Sequence, residues 1–234
     1  SRRERLIGNR TQIVNQTRSF LAERGIVVPQ GRHKFEQAMP LICAEHWEEF
    51  GDDFQAVLTE NFTEYTDLHA KIEEIDELIK SRATKSEACR RLMQINGFGP
   101  LTATALVAHV GDAKQFKNGR QMAAYLGMTP REHSSGGKRH LLGISKRGNI
   151  RLRTLFILGA RSAMLGLERR KKGEDGLPVR LSALEGWILS LKSRIGTFKA
   201  AVALANKMIR MAWVLLAREE SFEASKACMV TPAT

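Results

Sequence analysis

Apolar positions near the start of the chain recur at helical spacing. Between residues 5 and 23 they lie among good helix formers, and Gly25 follows where a C-cap glycine is expected. These apolar positions are Leu6, Ile13, Val14, Phe20 and Leu21. The pattern predicts an amphipathic helix, followed by a loop at residues 26–31, which contain proline and glycine.

A heptad repeat follows in the next part of the chain. One series of positions repeats every seven residues, and a companion series is offset from it by three. The first series is Leu58, Tyr65, Ile72 and Ile79, and the second is Phe54, Asn61, Leu68 and Ile75. This spacing is typical of an antiparallel helix pair or a coiled coil, in which the polar Asn61 would set the register. We therefore expect residues 1–88 to form a helical linker or coiled-coil region, with a homo-oligomer forming through residues 54–79.

From Cys89 onward the pattern changes to short helices broken by glycine. It predicts a compact second domain over residues 89–218 and a disordered tail at residues 219–234. Later helices are predicted at about residues 150–164, 181–190 and 196–218, with a loop at 166–178. The predicted fold class is therefore mainly α: a helical coiled-coil or hairpin region followed by a compact helical domain that contains a helix-hairpin-helix-like motif.

The charge of the chain points to a polyanionic partner. Lysine and arginine outnumber acidic residues by 37 to 25, giving a net charge of +12 and a pI near 10.0. The charge is segregated, because residues 131–172 hold twelve lysines and arginines against two glutamates, whereas residues 41–80 hold twelve acidic residues against two lysines. We infer that one segment meets phosphate while the other faces solvent or a basic partner.

Cysteine usage and hydropathy indicate where in the cell the protein is expected. The three cysteines are far apart and form no Cys-x-x-Cys pair, so the sequence predicts neither a disulfide framework nor a metal site in this chain, and a reducing, cytoplasmic location. No uninterrupted apolar run reaches about 18 residues, so we expect no membrane partner. The chain begins inside a helical pattern, from which we expect further residues before Ser1.

A Gly-x-Gly turn interrupts a helix at residues 97–99, and the helix restarts at Pro100. Two glycines let a turn expose its amide groups, and the N-terminus of the next helix attracts an anion. Gly97, Gly99 and Thr102 are therefore candidate phosphate contacts in a helix-hairpin-helix-like motif. The alternative is a tight turn in which the glycines serve packing.

A second constellation joins hydroxyls, glycines and cations at residues 134–139, Ser-Ser-Gly-Gly-Lys-Arg. A serine that attacks a phosphodiester needs a base and needs cations to stabilise the transition state. Lys138 and Arg139 are candidate cations, but nothing in the sequence makes His133 the base. From the chemistry of these residues alone, a plain phosphate-binding loop is the better explanation.

A third constellation surrounds the start of the helix predicted at residue 150. Lys146, Arg147, Arg151 and Arg153 lie at its entrance and in its first turn. Cations are unfavourable at the positive end of a helix dipole. We therefore expect these four side chains to contact phosphate rather than to form an ordinary solvated surface.

These motifs together resemble the C-terminal domain of the insertion-sequence-110 transposases, including the 116, 902 and 1111 relatives. The resemblance lies in Ile-Asn-Gly-Phe-Gly-Pro-Leu-Thr-Ala, Ala-Tyr-Leu-Gly-Met-Thr-Pro-Arg, Ser-Ser-Gly-Gly-Lys and Ile-Ser-Lys-Arg-Gly-Asn, in that order. It covers residues 92–163, with weaker similarity at 11–31 and 206–217.

The resemblance implies a recombination chemistry shared between two domains. An N-terminal RuvC-like domain would bind divalent metal, expected to be Mg²⁺, through an Asp-Glu-Asp-Asp set that we expect upstream of Ser1. The C-terminal domain would supply a nucleophilic serine, which corresponds to Ser135, with Ser134 as the alternative. The resemblance also implies a guide RNA as a possible partner, since family members are described as RNA-guided bridge recombinases.

The sequence is thus interpreted as the DNA-binding C-terminal portion of a transposase, inactive on its own. A non-enzymatic module that binds nucleic acid and dimerises is the alternative. A third hypothesis is an RNA-structural protein, which would prefer structured RNA and join no DNA.

Overall fold

A computed structural model describes residues 1–138, 140–171 and 181–220, with only the backbone of Lys171. The described chain is mainly α-helical, as predicted. Its helices are α1 (Arg2–Ala22), α2 (Arg32–His46), α3 (Asp52–Lys85), α4 (Glu87–Met93), α5 (Pro100–Val110), α6 (Gly119–Tyr125), α7 (Ile150–Lys171), α8 (Ala183–Ile195) and α9 (Thr197–Ala217). Two short strands, β1 (Pro130–Glu132) and β2 (Leu141–Ile144), lie between α6 and α7.

The chain divides into two compact units, Ser1–Leu78 and Ile79 onward. The division falls within α3, ten residues before the domain boundary that the glycine pattern suggested. Of the predicted tail, residues 221–234 lie outside the described residues. So do residues 172–180, which include the part of the predicted basic loop from Lys172 to Pro178.

In the first unit, α1 runs antiparallel to α3. Arg3 pairs with Asp76 at 2.5 Å, and Arg10 donates to Nδ1 of His69 at 2.9 Å. The Arg24 guanidinium lies 3.4 Å from the centre of the Phe54 ring. Because the partner number falls as the α1 number rises, the two helices form an antiparallel pair.

Four of the eight heptad positions of α3 are buried within the first unit. Leu58, Tyr65, Leu68 and Ile72 are all buried, in one core with residues of α1 and α2. The apolar face of α3 therefore has a partner surface in its own chain, and the homo-oligomer through residues 54–79 stays a prediction.

A polar contact joins α2 to α3 inside this core. The Tyr65 hydroxyl donates to Oε1 of Glu36 at 2.5 Å, and Arg32 pairs with the same oxygen at 3.0 Å. Burial and the Glu36 carboxylate raise the pKa of Tyr65 to about 12. Burial alone would raise the pKa of Glu36, but the Tyr65 hydroxyl and nearby cations outweigh it and lower that pKa.

The second unit is built around α9, which packs against α4, α6, α7 and α8. Ten of its residues are buried, among them Leu204, Met208 and Ala212. By length and apolar composition α9 also qualifies as a helix able to cross a membrane. Its place in the core accounts for that composition, since a helix buried on most sides needs apolar residues around most of its surface.

Helix α7 extends beyond the predicted end. It continues through Gly166 to Lys171, so the loop predicted to begin at Gly166 is wrong there. A glycine inside a helix costs only about 1 kcal/mol, and the buried side chain of Leu167 keeps this turn packed on the core.

Candidate nucleic-acid interface

The two serines lie near the tip of a β-hairpin. Strands β1 and β2 pair antiparallel, with Pro130 opposite Ile144 and Glu132 opposite Leu141. At the tip, the Lys138 amide donates to the Ser135 carbonyl at 3.1 Å. Gly136 and Gly137 have φ values of 57° and 76°, which is the type I′ geometry that closes a two-residue hairpin turn.

The hydroxyl of Ser134 is tied across this hairpin. It donates to Oε1 of Glu132 at 2.7 Å and accepts from the His140 amide at 3.2 Å. Both Ser134 and Ser135 are exposed. No hydrogen bond from the Ser135 hydroxyl was found among the residues described. The two neighbouring serines therefore differ in their hydrogen bonds.

The base of the hairpin is held by backbone contacts. The Ser145 amide donates to the Thr129 carbonyl at 2.8 Å, and the Lys146 amide donates to the Gly127 carbonyl at 3.2 Å. From α9, the Asn206 amide group donates to the Met128 carbonyl at 3.0 Å. The loop before α7 is thus fixed against the strand that leads to the serines.

The predicted cations differ in their exposure. Lys138, Lys146 and Arg147 are exposed. Arg151 is half-buried and already interacts within the chain. Arg139 lies outside the described residues.

Arg153 has a different environment from these cations. It is only 8% exposed, and its guanidinium donates to the Arg147 carbonyl at 3.3 Å. A guanidinium this deeply buried is poorly accessible to a phosphate. Its hydrogen bond to the Arg147 carbonyl favours a role for Arg153 in anchoring the loop before α7. Three cations, Lys138, Lys146 and Arg147, remain accessible beside the hairpin.

Helix α7 begins where the basic motif predicted. Asn149 accepts from the Leu152 amide through its side chain at 3.1 Å, as an N-cap does. The same side chain lies 3.3 Å from Nδ1 of His109. The cap explains the asparagine of this motif without a ligand, whereas Lys146 and Arg147 have no such structural explanation.

The Gly-x-Gly turn joins α4 to α5. At Gly97, where φ is 94°, a Cβ would lie 2.5 Å from the Gly159 carbonyl oxygen on α7. Gly97 therefore serves close packing. Gly99 is the N-cap of α5 without a side-chain cap, and Thr102 is buried at 6% exposure. Phosphate binding by this turn stays a prediction, with the Gly99 end the more accessible part.

Sequence reasoning missed the strands and the partner of Ser134. The signal for the hairpin was the Gly-Gly pair, which is a frequent two-residue turn between strands. Nothing in the sequence marked Glu132, because its contact depends on the register of the hairpin. In the part of the chain that the structure describes, no cluster of His, Cys, Asp or Glu has the arrangement of a metal site.

Comparison with known proteins agrees with the resemblance. Residues 89–172 match the model of the transposase IS116/IS110/IS902 family. The chain is 40% identical over 220 residues to the transposase for insertion sequence element IS1111A of Coxiella burnetii, covering 94% of this chain and 58% of that protein.

Two further relatives have similar coverage. The chain is 35% identical over 221 residues to a probable family 20 transposase of Pseudomonas aeruginosa (94% and 62%). It is 34% identical over 213 residues to the transposase for insertion sequence element IS1328 of Yersinia enterocolitica (91% and 60%). The chain thus spans about three fifths of the length of these relatives. The matched domain and these relatives together show that the chain belongs to the IS116/IS110/IS902 transposase family.

Proposed function

We propose that this chain is the DNA-binding part of a transposase that mobilises an insertion sequence by DNA strand cleavage and rejoining. The observation that supports this most is the hairpin with its accessible cations. Ser135 lies at an exposed type I′ turn, opposite Lys138, and the loop with Lys146 and Arg147 is hydrogen-bonded to the base of the same hairpin. Fixed cations of this kind suit the DNA backbone, whose phosphates contribute most of the non-specific affinity.

Ser135 is the proposed nucleophile. Its Oγ would form a bond to phosphorus while the bond from phosphorus to one deoxyribose oxygen breaks. The hydroxyl proton passes to a base, the leaving oxygen gains a proton, and the phosphoryl group stays on the serine until the rejoining strand reverses the step. Lys138, Lys146 and Arg147 would stabilise the negative charge that builds on the phosphoryl oxygens.

Ser134 remains the alternative nucleophile, for a chemical reason. Its hydrogen bond to Glu132 places a carboxylate where a general base would stand. The same hydroxyl also accepts from the His140 amide, so it links the two strands. We assign Ser134 and Glu132 to holding the hairpin tip in shape, and Ser135 to the chemistry.

Other partners follow from family membership and stay proposals. The resemblance implies Mg²⁺ in an N-terminal domain, and the described residues do not provide a donor set that fits it. A guide RNA would meet the same accessible cations, because they recognise phosphate. A cytoplasmic location is also proposed. It is compatible with the free thiols of Cys43 and Cys89 in the described chain.

A covalent protein–DNA adduct tests the serine assignment. The chain is mixed with the separately expressed N-terminal portion of a full-length relative, Mg²⁺ and a duplex labelled on one strand. Wild type should give a denaturant-resistant adduct that peptide mass spectrometry locates at Ser135. Ser135→Ala should reduce it to background, whereas Ser134→Ala should retain it.

The opposite results have distinct meanings. An adduct that survives Ser135→Ala and disappears in Ser134→Ala would make Ser134 the nucleophile, with Glu132 as its base. DNA binding with no adduct in wild type would favour the non-enzymatic module. One observation favours that second candidate, namely that in the described chain no side chain hydrogen-bonds to the Ser135 hydroxyl.

A further inference from the structure

A second pair of cations is brought together at a packing contact between α6 and α9. The segment from Ala113 to Met128 lies along α9 in the antiparallel sense. Trp213 donates through Nε1 to the carbonyls of Ala113 and Phe116, at 3.2 and 3.1 Å. One helical turn from it, a Cβ on Gly119 would lie 2.8 Å from the Cα of Arg210.

This approach requires glycine and determines what stands next to Arg210. Any side chain at position 119 would collide with the α9 backbone, so only glycine lets α6 begin there. The next residue, Arg120, lies close enough to Arg210 for their charges to interact. Arg210 is half-buried and Arg120 is exposed.

The two arginines have no counter-charge in the described residues. Neither forms an ion pair with any carboxylate there, although Lys114 and Arg218, at the same end of the unit, are paired with Glu219 and Glu220. Burial, and next to it the charge of Arg120, lower the pKa of Arg210. Two like charges held together, one of them partly desolvated, destabilise the free protein.

The pair also borders the proposed DNA-binding hairpin. Asn206, four residues before Arg210 on α9, donates to the carbonyl of Met128, and β1 begins two residues later at Pro130. Four residues of helix span about 6 Å. The arginine pair therefore stands one helical turn from the contact that holds the base of the hairpin.

We infer that Arg120 and Arg210 together bind a backbone phosphate of the DNA that the hairpin engages. This inference rests on the proposed function and extends it to a surface outside the serine hairpin and the basic loop. Guanidinium groups match phosphate oxygens in two-point contacts, and a bound phosphate removes the repulsion between them. The half-buried position of Arg210 makes the contact stronger than that of a fully solvated cation.

Salt-dependent binding to a duplex of about 30 base pairs tests this inference. The Arg120→Gln, Arg210→Gln double variant removes the pair. A matched control, Arg194→Gln with Lys199→Gln, removes two exposed cations elsewhere in the second unit and keeps the same net charge. Loss of two phosphate contacts should make the slope of log affinity against log salt shallower by about 1.8, with affinity falling about tenfold or more near physiological salt. The control should change the slope by less than half as much.

Unfolding of the free protein provides a second readout. Arg120→Gln should raise the thermal midpoint, because it removes the repulsion while leaving the packing of Gly119 on α9 intact. Arg120→Gln alone should also make the slope shallower by about 0.9. A merely structural arginine would lower the midpoint and leave the slope unchanged, and that result would overturn the inference.

Failure of the inference is distinguishable from failure of the proposed function. If wild type binds duplex DNA and the double variant has the same salt slope as wild type, the arginine pair is not a phosphate contact. An equal change in pair variant and control means that only total charge matters, which also overturns it. A loss confined to structured RNA contradicts the choice of DNA. Absence of any salt-dependent DNA binding by wild type contradicts both proposals.

Discussion

The surroundings of Ser134 and Ser135 explain how adjacent identical residues can have different roles. The Ser134 hydroxyl donates a hydrogen bond to Glu132 and accepts one from the His140 amide. Ser135 lies one position further into a type I′ turn whose two glycines have positive φ. A hydroxyl held by two hydrogen bonds keeps the turn in place, while a hydroxyl at the turn itself can approach a phosphodiester without breaking them.

Gly97 and Gly99 provide a residue-scale prediction about the Gly-x-Gly turn. Gly97→Ala would place a Cβ 2.5 Å from the Gly159 carbonyl oxygen at a φ of 94°. We expect it to lower the free energy of unfolding by roughly 2–5 kcal/mol, from overpacking together with backbone strain. Denaturant unfolding monitored by circular dichroism measures this change.

Gly99→Ala is the matched control. Its φ is −86°, and a Cβ there would meet nothing within 4 Å. Loss of a glycine N-cap should cost less than about 1 kcal/mol. Equal destabilisation by both substitutions would contradict the assignment of Gly97 to packing and of Gly99 to the accessible end of α5.

For individual cations, the sequence showed the charge but not whether the side chain is buried or exposed. Lys146 and Arg147 were predicted to contact phosphate; both are exposed, and the contact itself stays a prediction. Arg153 had the same appearance in the sequence but is buried against the Arg147 carbonyl. A cation that anchors a loop and a cation that is accessible to a ligand look alike in the sequence. They differ in how deeply the fold buries the side chain.

The elements divide into those with a strong periodic signal and those without one. The heptads of α3 predicted a long helix with an apolar face; the helix is confirmed, with four of the eight heptad positions buried and the other four half-buried. Strands β1 and β2 were missed, because three or four exposed residues each bury no face and so leave no period-two pattern. The prediction for α7 ended too early at Gly166, since tertiary packing overrode its low helix propensity.

Helix α3 provides the element-scale prediction. Ile72 is 4% exposed, so Ile72→Ala should lower the free energy of unfolding by about 2–5 kcal/mol. Should that variant fail to fold, Ile72→Val should still cost about 0.5–1.5 kcal/mol. Leu78→Ala, on the same helix but 50% exposed, should change it by less than about 1 kcal/mol.

Protein concentration distinguishes an intramolecular seam from a homo-oligomer. If α3 is covered by α1 and α2 alone, the unfolding midpoint should be the same at protein concentrations tenfold apart. A seam between two copies would raise the midpoint with concentration. That result, with a large effect of Leu78→Ala, would support oligomerisation through residues 54–79 instead.

Across the whole molecule, charge is distributed by unit. Nearly all of the acidic segment, residues 41–80, belongs to the unit that ends at Leu78, and the basic segment, residues 131–172, belongs to the unit that begins at Ile79. The family match also falls on the second unit, at residues 89–172. The proposed DNA contacts, from the hairpin to the Arg120–Arg210 pair, are therefore all carried by the unit that contains the transposase domain.

The sequence predicted which part of the chain carries the proposed DNA contacts, but not which distant residues the fold brings together there. Lys146 and Arg147 were found because they stand together in the chain. Arg120 and Arg210 are separated by ninety residues, and the packing of α6 on α9 brings them together. Clusters formed by tertiary packing leave no local signal in a single sequence.

In the proposed function, the loop before α7 and the hairpin hydrogen-bonded to it bind the DNA backbone. The most direct measurement is the salt dependence of duplex DNA binding, comparing wild type with Lys146→Ala, Arg147→Ala. Lys146 has a φ of 57°, and alanine has the same strain there as lysine, so the comparison isolates charge. The double variant should bind DNA more weakly than wild type, with a salt slope that is shallower by about 1.8. Unchanged affinity and slope in a folded variant, or no DNA binding by wild type, would contradict the account.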